Sequence, residues 1–423
     1  MSTRRVFSLS KSCLRTLSIE PSHTCISHPK YAREFSKATV RMSSTLPFSR
    51  LELPPTSDFH VHLRSGDMMR TVVPTIRRGG VSTVYVMPNL TPPITSVKQA
   101  VSYRDELSAI DPSVNYLMTL YMHSSITPET IVEAKQAGIA GVKIYPAGVT
   151  TNSDAGVVDL EPFYPVISKM QEVDMVLNLH GEVGCTCDSG PEYVEQSSTD
   201  PANPGAVTVL NAEHAFLPTL RKLHKDFPKL RIVLEHASTK AALDTVRECG
   251  PTVAGTITAH HLSLTVDDVV GDGFAFCKPT AKTPSDRVAL QREVIDSNSK
   301  FFFGSDSAPH PRNAKVANPH KKAAAGCFTQ AYATQLVFSA LEDGVKNGWF
   351  NRDAVTKDVL QEFFSARGNR FYGIDAARSD TKRGIIVEKK GDTIEETVFN
   401  SETNIAVVNF GCGEETWSIE WSR

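Results

Sequence analysis

Eight short runs of β-branched and apolar residues, separated by longer stretches with helical spacing, set the tightest limit on what this chain can fold into. The runs fall at residues 58–63, 83–87, 115–120, 141–145, 175–180, 231–236, 255–259 and 301–305. Helix-like segments lie among them at 97–109, 128–137, 160–172, 218–226, 240–248 and 284–298. Strands that alternate with helices pair in parallel, because a helical crossover returns the chain to the same edge in the same direction. Eight such units over roughly 250 residues predict an α/β fold of the (β/α)8 TIM-barrel type rather than a doubly wound sheet. A dinucleotide-binding sheet would carry a glycine fingerprint after its first strand, whereas the turn after Leu63 reads Arg64-Ser65-Gly66-Asp67. The barrel is expected over residues 53–375. Residues 376–423 change to a β-like pattern, as in Gly384-Ile-Ile-Val387 and Ile405-Ala-Val-Val408, and read as a small β-rich tail packed on the barrel.

Residues 1–41 have a composition of their own: eight Lys or Arg, two Glu, twelve Ser or Thr, and no hydrophobic period. This fits a mitochondrial targeting segment, but a disordered extension is the preferred reading, since Met42 offers a second start just ahead of the folded region. The expected location is therefore cytoplasmic. A net charge of −2 gives no electrostatic reason to expect a nucleic-acid or membrane-surface partner. No run approaches the roughly 18 apolar residues of a membrane-spanning helix. The eight cysteines are scattered over a long chain, unlike a disulfide framework, and imply a reducing compartment. Cys185 and Cys187 read as two loop thiols.

Polar residues gather where the strands end. His60 and His62 sit two apart on the first run, so both imidazoles face one side. Lys143 interrupts an apolar fourth run, the fifth ends on His180, the sixth on His236, and Asp306 follows the eighth. Taken singly, each has a plainer explanation. A strand-end His is usually a hydrogen-bonded core or surface residue, an Asp after a strand usually caps a turn, and a Lys in a strand usually reaches for solvent. Six such residues at strand ends that a barrel brings to one mouth are a different matter, because imidazole and carboxylate are metal ligands. His260 and His261, at the seventh strand end, are assigned a supporting role, and His123 a structural one. Two long loops, 184–204 and 307–326, follow strands on the same face.

A protonated lysine cannot hold a metal, but burial beside cations favours the neutral amine. That amine can take up carbon dioxide as a carbamate, an anionic ligand long enough to bridge two ions. Two divalent ions carry +4, and carbamate, Asp306 and a bridging hydroxide return −3. A site of about +1 suits an anionic substrate.

The motif Phe59-His-Val-His62, with Lys143, His180, His236 and Asp306, resembles the amidohydrolase superfamily, and within it dihydroorotases of the short monofunctional type. The likeness spans about residues 58–373. It rests on Asp58-Phe-His-Val-His-Leu-Arg-Ser-Gly-Asp67, Val86-Met-Pro-Asn-Leu-Thr-Pro-Pro93 and Val142-Lys-Ile-Tyr-Pro-Ala-Gly-Val-Thr-Thr-Asn152. It continues through His180-Gly-Glu-Val183, Leu234-Glu-His-Ala-Ser-Thr-Lys240 and Gly304-Ser-Asp-Ser-Ala-Pro-His310. The resemblance implies two zinc ions, one held by His60, His62 and Asp306 and the other by His180 and His236, bridged by N6-carboxylated Lys143 and hydroxide. It implies the reversible cyclisation of N-carbamoyl-L-aspartate to (S)-dihydroorotate and water, the third step of pyrimidine synthesis, with Asp306 carrying the proton. Arg64, Asn89 and His310 match positions that hold the substrate carboxylate, and Thr150 and Thr151 match a loop that closes over it. Lys278 and Ala325 stand where backbone contacts to the substrate are expected, and the family assembly is a homodimer. There are departures: Lys278 replaces an apolar residue, Ala259-His260-His261 replaces a Pro-Gln before the histidine, and the loop 184–204 is long. The rivals are another cyclic amidohydrolase (dihydropyrimidinase, hydantoinase or allantoinase-like) and a catalytically silent scaffold. Arg64, Asn89 and His310 weigh against the first, and the complete set of six ligands against the second.

Overall fold

The computed structural model describes residues 45–184, 207–316, 323–374 and 383–422. The segment 1–41, Cys185, Cys187 and nearly all of the loop 184–204 lie outside the described residues. Strand β1 (Arg50–Leu53) is followed by eight parallel strands that pair in chain order. They are β2 (Thr56–Val61), β3 (Val81–Val86), β4 (Asn115–Tyr121), β5 (Gly141–Ile144), β6 (Val176–His180), β7 (Ile232–Glu235), β8 (Val253–Ile257) and β9 (Phe301–Phe303). Sequential parallel order with helices outside is the (β/α)8 arrangement that the alternation predicts. The ring closes between its first and last strands by a Val61–Ser307 bridge and by the bond from the Asp306 amide to the His60 carbonyl, 2.8 Å. Asp58 reinforces the seam by accepting from the Ser305 amide (2.7 Å) and hydroxyl (2.6 Å).

The helices start where side chains can take up their free amide groups. Ser96, Thr127, Thr239 and Thr283 each accept from the backbone nitrogen three residues on. One boundary departs from expectation: the helix predicted at 218–226 runs Ala212–Asp226, with Pro218 inside it. A proline within a helical pattern reads as a start, because it lacks the amide a helix interior needs. Here the helix continues through Pro218 at its seventh residue, giving up one interior amide bond.

Between strands and helices lies the main apolar core, and a second cluster of Phe59, Tyr85, Val176, Val233 and Phe302 fills the barrel floor. Tyr372 stacks on Phe59 at 5.1 Å, and a Cβ at Gly368 would collide with the Phe59 ring, so the helix Arg367–Tyr372 seals this end closely. The ladder register shifts between Asp58 and Val61, so strict alternation lapses there. Phe59 joins the floor while the adjacent His60 bonds within the mouth.

Four further strands are β10 (Ile385–Thr393), β11 (Thr397–Asn400), β12 (Ile405–Val408) and β13 (Glu415–Trp421). β10 lies between β1 and β13 in an antiparallel sheet, so a strand from ahead of the barrel completes this sheet. β11 and β12 form a separate hairpin. None of the helices among the described residues is long and apolar enough to cross a membrane.

Candidate active site

The strand ends on one face of the barrel surround a cavity of about 340 Å³. His60, His62, His180, His236 and Asp306 line it, with Tyr145. Lys143 is fully buried, its Nζ 5.2 Å from the centre of the Tyr145 ring. Three of the sequence-chosen residues hold unusual backbone conformations: φ is +59° at Arg64, +43° at His236 and +45° at Asp306. The left-handed region costs a residue with a side chain about 1–3 kcal/mol, and surrounding structure must hold it there. At Asp306 the hold is visible in the closing bond to His60.

Hydrogen bonds on the outer nitrogens determine what the histidines present to the cavity. His60 Nδ1 lies 2.9 Å from Glu235 Oε2, an acceptor, so Nδ1 carries a proton and Nε2 faces inward. His62 Nδ1 lies 2.8 Å from Asn89 Oδ1, whose own amide Nδ2 donates to the Thr151 carbonyl at 2.9 Å. The two inward Nε2 atoms sit 3.3 and 3.0 Å from the same oxygen, Asp306 Oδ1. In neutral imidazoles these would be lone pairs facing a carboxylate, an arrangement that needs a proton or a cation between them. Burial drives His62 down to about 4, which favours the neutral ring and hence the cation. Burial works against the Asp306 carboxylate, but His60 and His62 outweigh it and hold its pKa well below the ordinary value.

The second half of the donor set is equally short of partners. His180 Nε2 is 3.0 Å from Glu182 Oε2, which leaves Nδ1 as its acceptor nitrogen. His236 Nδ1 and Lys143 Nζ are buried without hydrogen-bond partners. The rings of His180 and His236 are 4.6 Å apart between centroids. Burial pushes the Lys143 amine down to about 8, against the opposing pull of Glu235 and Asp306. An amine whose charge burial disfavours, left with no partner beside two imidazoles, fits a metal-holding and carbamate-forming group.

Arg64, Asn89, Thr150, Thr151, Lys278 and Ala325 line the same cavity. His310 lies just behind them, its Nε2 3.2 Å from Arg64 Nη2 and 2.9 Å from the Ala325 carbonyl. One nitrogen cannot accept from the guanidinium and donate to the carbonyl at once. If it donates to Ala325, two N–H groups stand side by side; Arg64 Nε is held by the Pro309 carbonyl at 3.0 Å, and the terminal nitrogens are left to grip an anion. Thr151 Oγ1 also reaches the Ala325 carbonyl at 3.4 Å, and Lys278 Nζ donates to the Val149 carbonyl at 2.7 Å.

Strand-end counting overlooked four residues of this site: Glu235, Asn178, Glu182 and Asp58. Glu235 accepts from His60, from Thr256 (2.6 Å) and from Asn178 Nδ2 (2.5 Å). Its signal is an acid inside the otherwise apolar, wholly buried strand Ile232–Glu235. His261 bonds to Thr258 and the Pro279 carbonyl rather than to a cavity residue. His123 bonds to Ser125 near the surface.

No family model matches the chain. The chain is 45% identical over 350 residues to a probable dihydroorotase of Schizosaccharomyces pombe, covering 83% of this chain and 94% of that one. It is similar to the crystal structure of a dihydroorotase from Saccharomyces cerevisiae in complex with 5-fluoroorotic acid. That match has a TM-score of 0.79, 39% identity, and covers 89% of this chain and 99% of the other. An L-hydantoinase (dihydropyrimidinase) from Arthrobacter aurescens shares the fold at TM-score 0.71 with 16% identity, covering 87% of this chain and 83% of its own.

Proposed function

This chain belongs to the dihydroorotase family of the amidohydrolase superfamily, and on that premise we propose how its residues divide the work. The reaction is the reversible ring closure of N-carbamoyl-L-aspartate to (S)-dihydroorotate and water. One observation carries the reading: a His60–His62–Asp306 donor triad and Arg64, backed by His310, open onto a single cavity. A metal donor set beside an anion grip suits a cyclic amide that bears a carboxylate. The orotate-type ligand named for the yeast structure is a carboxylated pyrimidine, in keeping with this reading.

His60, His62 and Asp306 would hold one divalent ion, His180 and His236 a second, and Lys143, carboxylated at Nζ, would serve both. When bound, the ions, zinc by the nature of the ligands, supply Lewis acidity and lower the pKa of water. Arg64, Asn89 and His310 hold the substrate carboxylate, and so fix which ring atoms face the donor triad. In the hydrolytic direction Asp306 accepts the proton of the attacking water and returns it to the departing ring nitrogen. Ring closure reverses these transfers. Thr150 and Thr151, on the loop between β5 and the helix Tyr164–Glu172, cover the cavity and exclude water. Lys278 and Ala325 complete the wall through their backbones. A homodimer, from family resemblance, and a cytosolic location, from the composition of residues 1–41, complete the proposal; light scattering and fractionation test them.

The deciding assay follows ring opening by absorbance with dihydroorotate and, in parallel, dihydrouracil. Hydrolysis of dihydroorotate with little or none of dihydrouracil is expected. Turnover of dihydrouracil alone would overturn the substrate assignment.

A further inference from the structure

Behind the cavity wall lies a second cluster of metal-ligating side chains that ring closure does not use. His260 follows β8, and Cys277 and Cys327 come from the two segments that carry Lys278 and Gly326. One ring nitrogen and two sulfurs of these residues all lie within 4.8 Å of one another. The three side chains are at most 1% exposed. Both ring nitrogens of His260 are buried without a hydrogen-bond partner. An imidazole always has at least one donor to place, and a buried polar atom left unsatisfied costs about 1–3 kcal/mol. A ring with both nitrogens in that condition, facing two thiols, points to a missing partner.

The sulfurs leave room for one. Cys277 Sγ lies 3.2 Å from the Pro279 carbonyl oxygen, and Cys327 Sγ lies 3.5 and 3.7 Å from those of Phe274 and Ala275. Cys277 Sγ also lies 3.9 Å from His261 Nε2; each thiol has one hydrogen to give, so at least one lone pair per sulfur stays available to an ion. We propose that His260, Cys277 and Cys327 bind a thiophilic divalent ion of the zinc and cobalt class, at a site separate from the catalytic donors. Tetrahedral bonds of about 2.3 Å to sulfur and 2.0 Å to nitrogen put ligand atoms roughly 3.5–3.8 Å apart, so closing on an ion takes only small shifts. His261 is already bonded to Thr258 and Pro279, which leaves water for the fourth position.

Charge favours the same ion. Binding follows M²⁺ + 2 RSH → M(SR)₂ + 2 H⁺, with neutral imidazole as the third ligand. The product carries no net charge, the least costly state to bury. Lys315 Nζ, nearby, donates to the carbonyls of Phe276, Ala324 and Gly326, and so bridges the same two segments. Two residues lining a small neighbouring cavity touch the cluster: the Phe410 ring lies 6.3 Å from the His260 ring, and the Phe274 carbonyl faces Cys327 Sγ. The bound ion would tie together the segments carrying Lys278 and Gly326, which line the catalytic cavity.

The test uses the full-length chain, stripped of metal and titrated with Co²⁺ alone, followed by near-ultraviolet absorption and metal analysis. A thiolate-to-cobalt charge-transfer band is expected, because the catalytic donors are nitrogen and oxygen and cannot produce one. Cys277→Ser and Cys327→Ser should each abolish the band and lower bound Co²⁺ by one ion per chain. Cys277→Ala, which keeps the site apolar, repeats the experiment should the serine variant fail to fold. Absence of the band in the unmodified chain overturns the proposal. So does a band that survives both Cys277 and Cys327 substitutions and disappears only when Cys185 and Cys187 are replaced.

Discussion

His60 and His62 differ in what grips their outer nitrogens, and that difference separates the roles of two acids. His60 is backed by Glu235, a buried carboxylate that also accepts from Thr256 and Asn178. A carboxylate behind an imidazole fixes its tautomer and raises its basicity as a ligand. Glu235→Gln should therefore weaken metal binding by roughly 10–100-fold. Competition with a chromogenic chelator measures this, and an unchanged affinity would remove Glu235 from the site. Asp306 stands on the cavity side of both rings and is expected to move the proton. Asp306→Asn keeps an oxygen ligand but loses the base, so kcat should fall by roughly 10²–10⁴-fold with metal retained. Metal analysis and turnover on the same sample check it, and full activity would sink the assignment. Asp306 was readable in the sequence because it follows a strand of the barrel. Glu235 was not singled out, because it hides one position before a more conspicuous histidine.

The loop between β5 and the helix Tyr164–Glu172 is tied down at Asn89, at Lys278 and, through Thr151 Oγ1, at the Ala325 carbonyl. Asn89 reaches the Thr151 carbonyl, Asn152 Nδ2 reaches the Asn89 carbonyl at 2.9 Å, and Lys278 holds the Val149 carbonyl. Within the loop, the Thr150 amide donates to Ser153 Oγ at 2.9 Å. Lys278 looks like a departure in the sequence, a charged residue where an apolar one is expected. Its ammonium is a latch on the loop that covers the cavity. Lys278→Met keeps the length and apolar stem but loses the donor. A hydrogen bond from a charged group contributes about 1.5–3 kcal/mol, so KM should rise roughly tenfold or more while metal content stays the same. Steady-state kinetics on dihydroorotate reads this out, and an unaltered KM would mean the latch does not matter to closure. The pattern of strands and helices could not show it, since the contact joins residues more than a hundred positions apart through one side chain.

At the scale of the whole molecule, the barrel was legible because its signal repeats: eight buried strands, most of them followed by a helical pattern. The antiparallel sheet was legible only in part. β10 and β13 show period-two patterning, but their companion β1 is four residues long and comes from the far end of the described chain. Short strands carry too little pattern to be read alone. Long-range packing also sets the pH response, and Glu213 shows how. It lies at the start of the helix Ala212–Asp226 and is 1% exposed. It accepts from the Ser238 amide at 2.8 Å and from the Thr239 hydroxyl at 2.5 Å, the latter capping the helix Lys240–Glu248. Burial pushes its carboxyl up to about 7 from 4.5, against the opposing influence of Lys282, Thr239 and Ser238. Between those values the folded chain holds a proton that the unfolded chain has released. Stability from this group is therefore complete below about pH 4.5 and is lost as pH rises through about 7, a change on the order of 3 kcal/mol. Glu213→Gln keeps an acceptor for one of the two donors but cannot titrate. Its thermal midpoint should fall less than that of the unmodified chain between pH 5 and 8. All other titrating groups are common to both proteins, so the difference between the two curves belongs to Glu213, and parallel curves would show that its proton does not couple to folding.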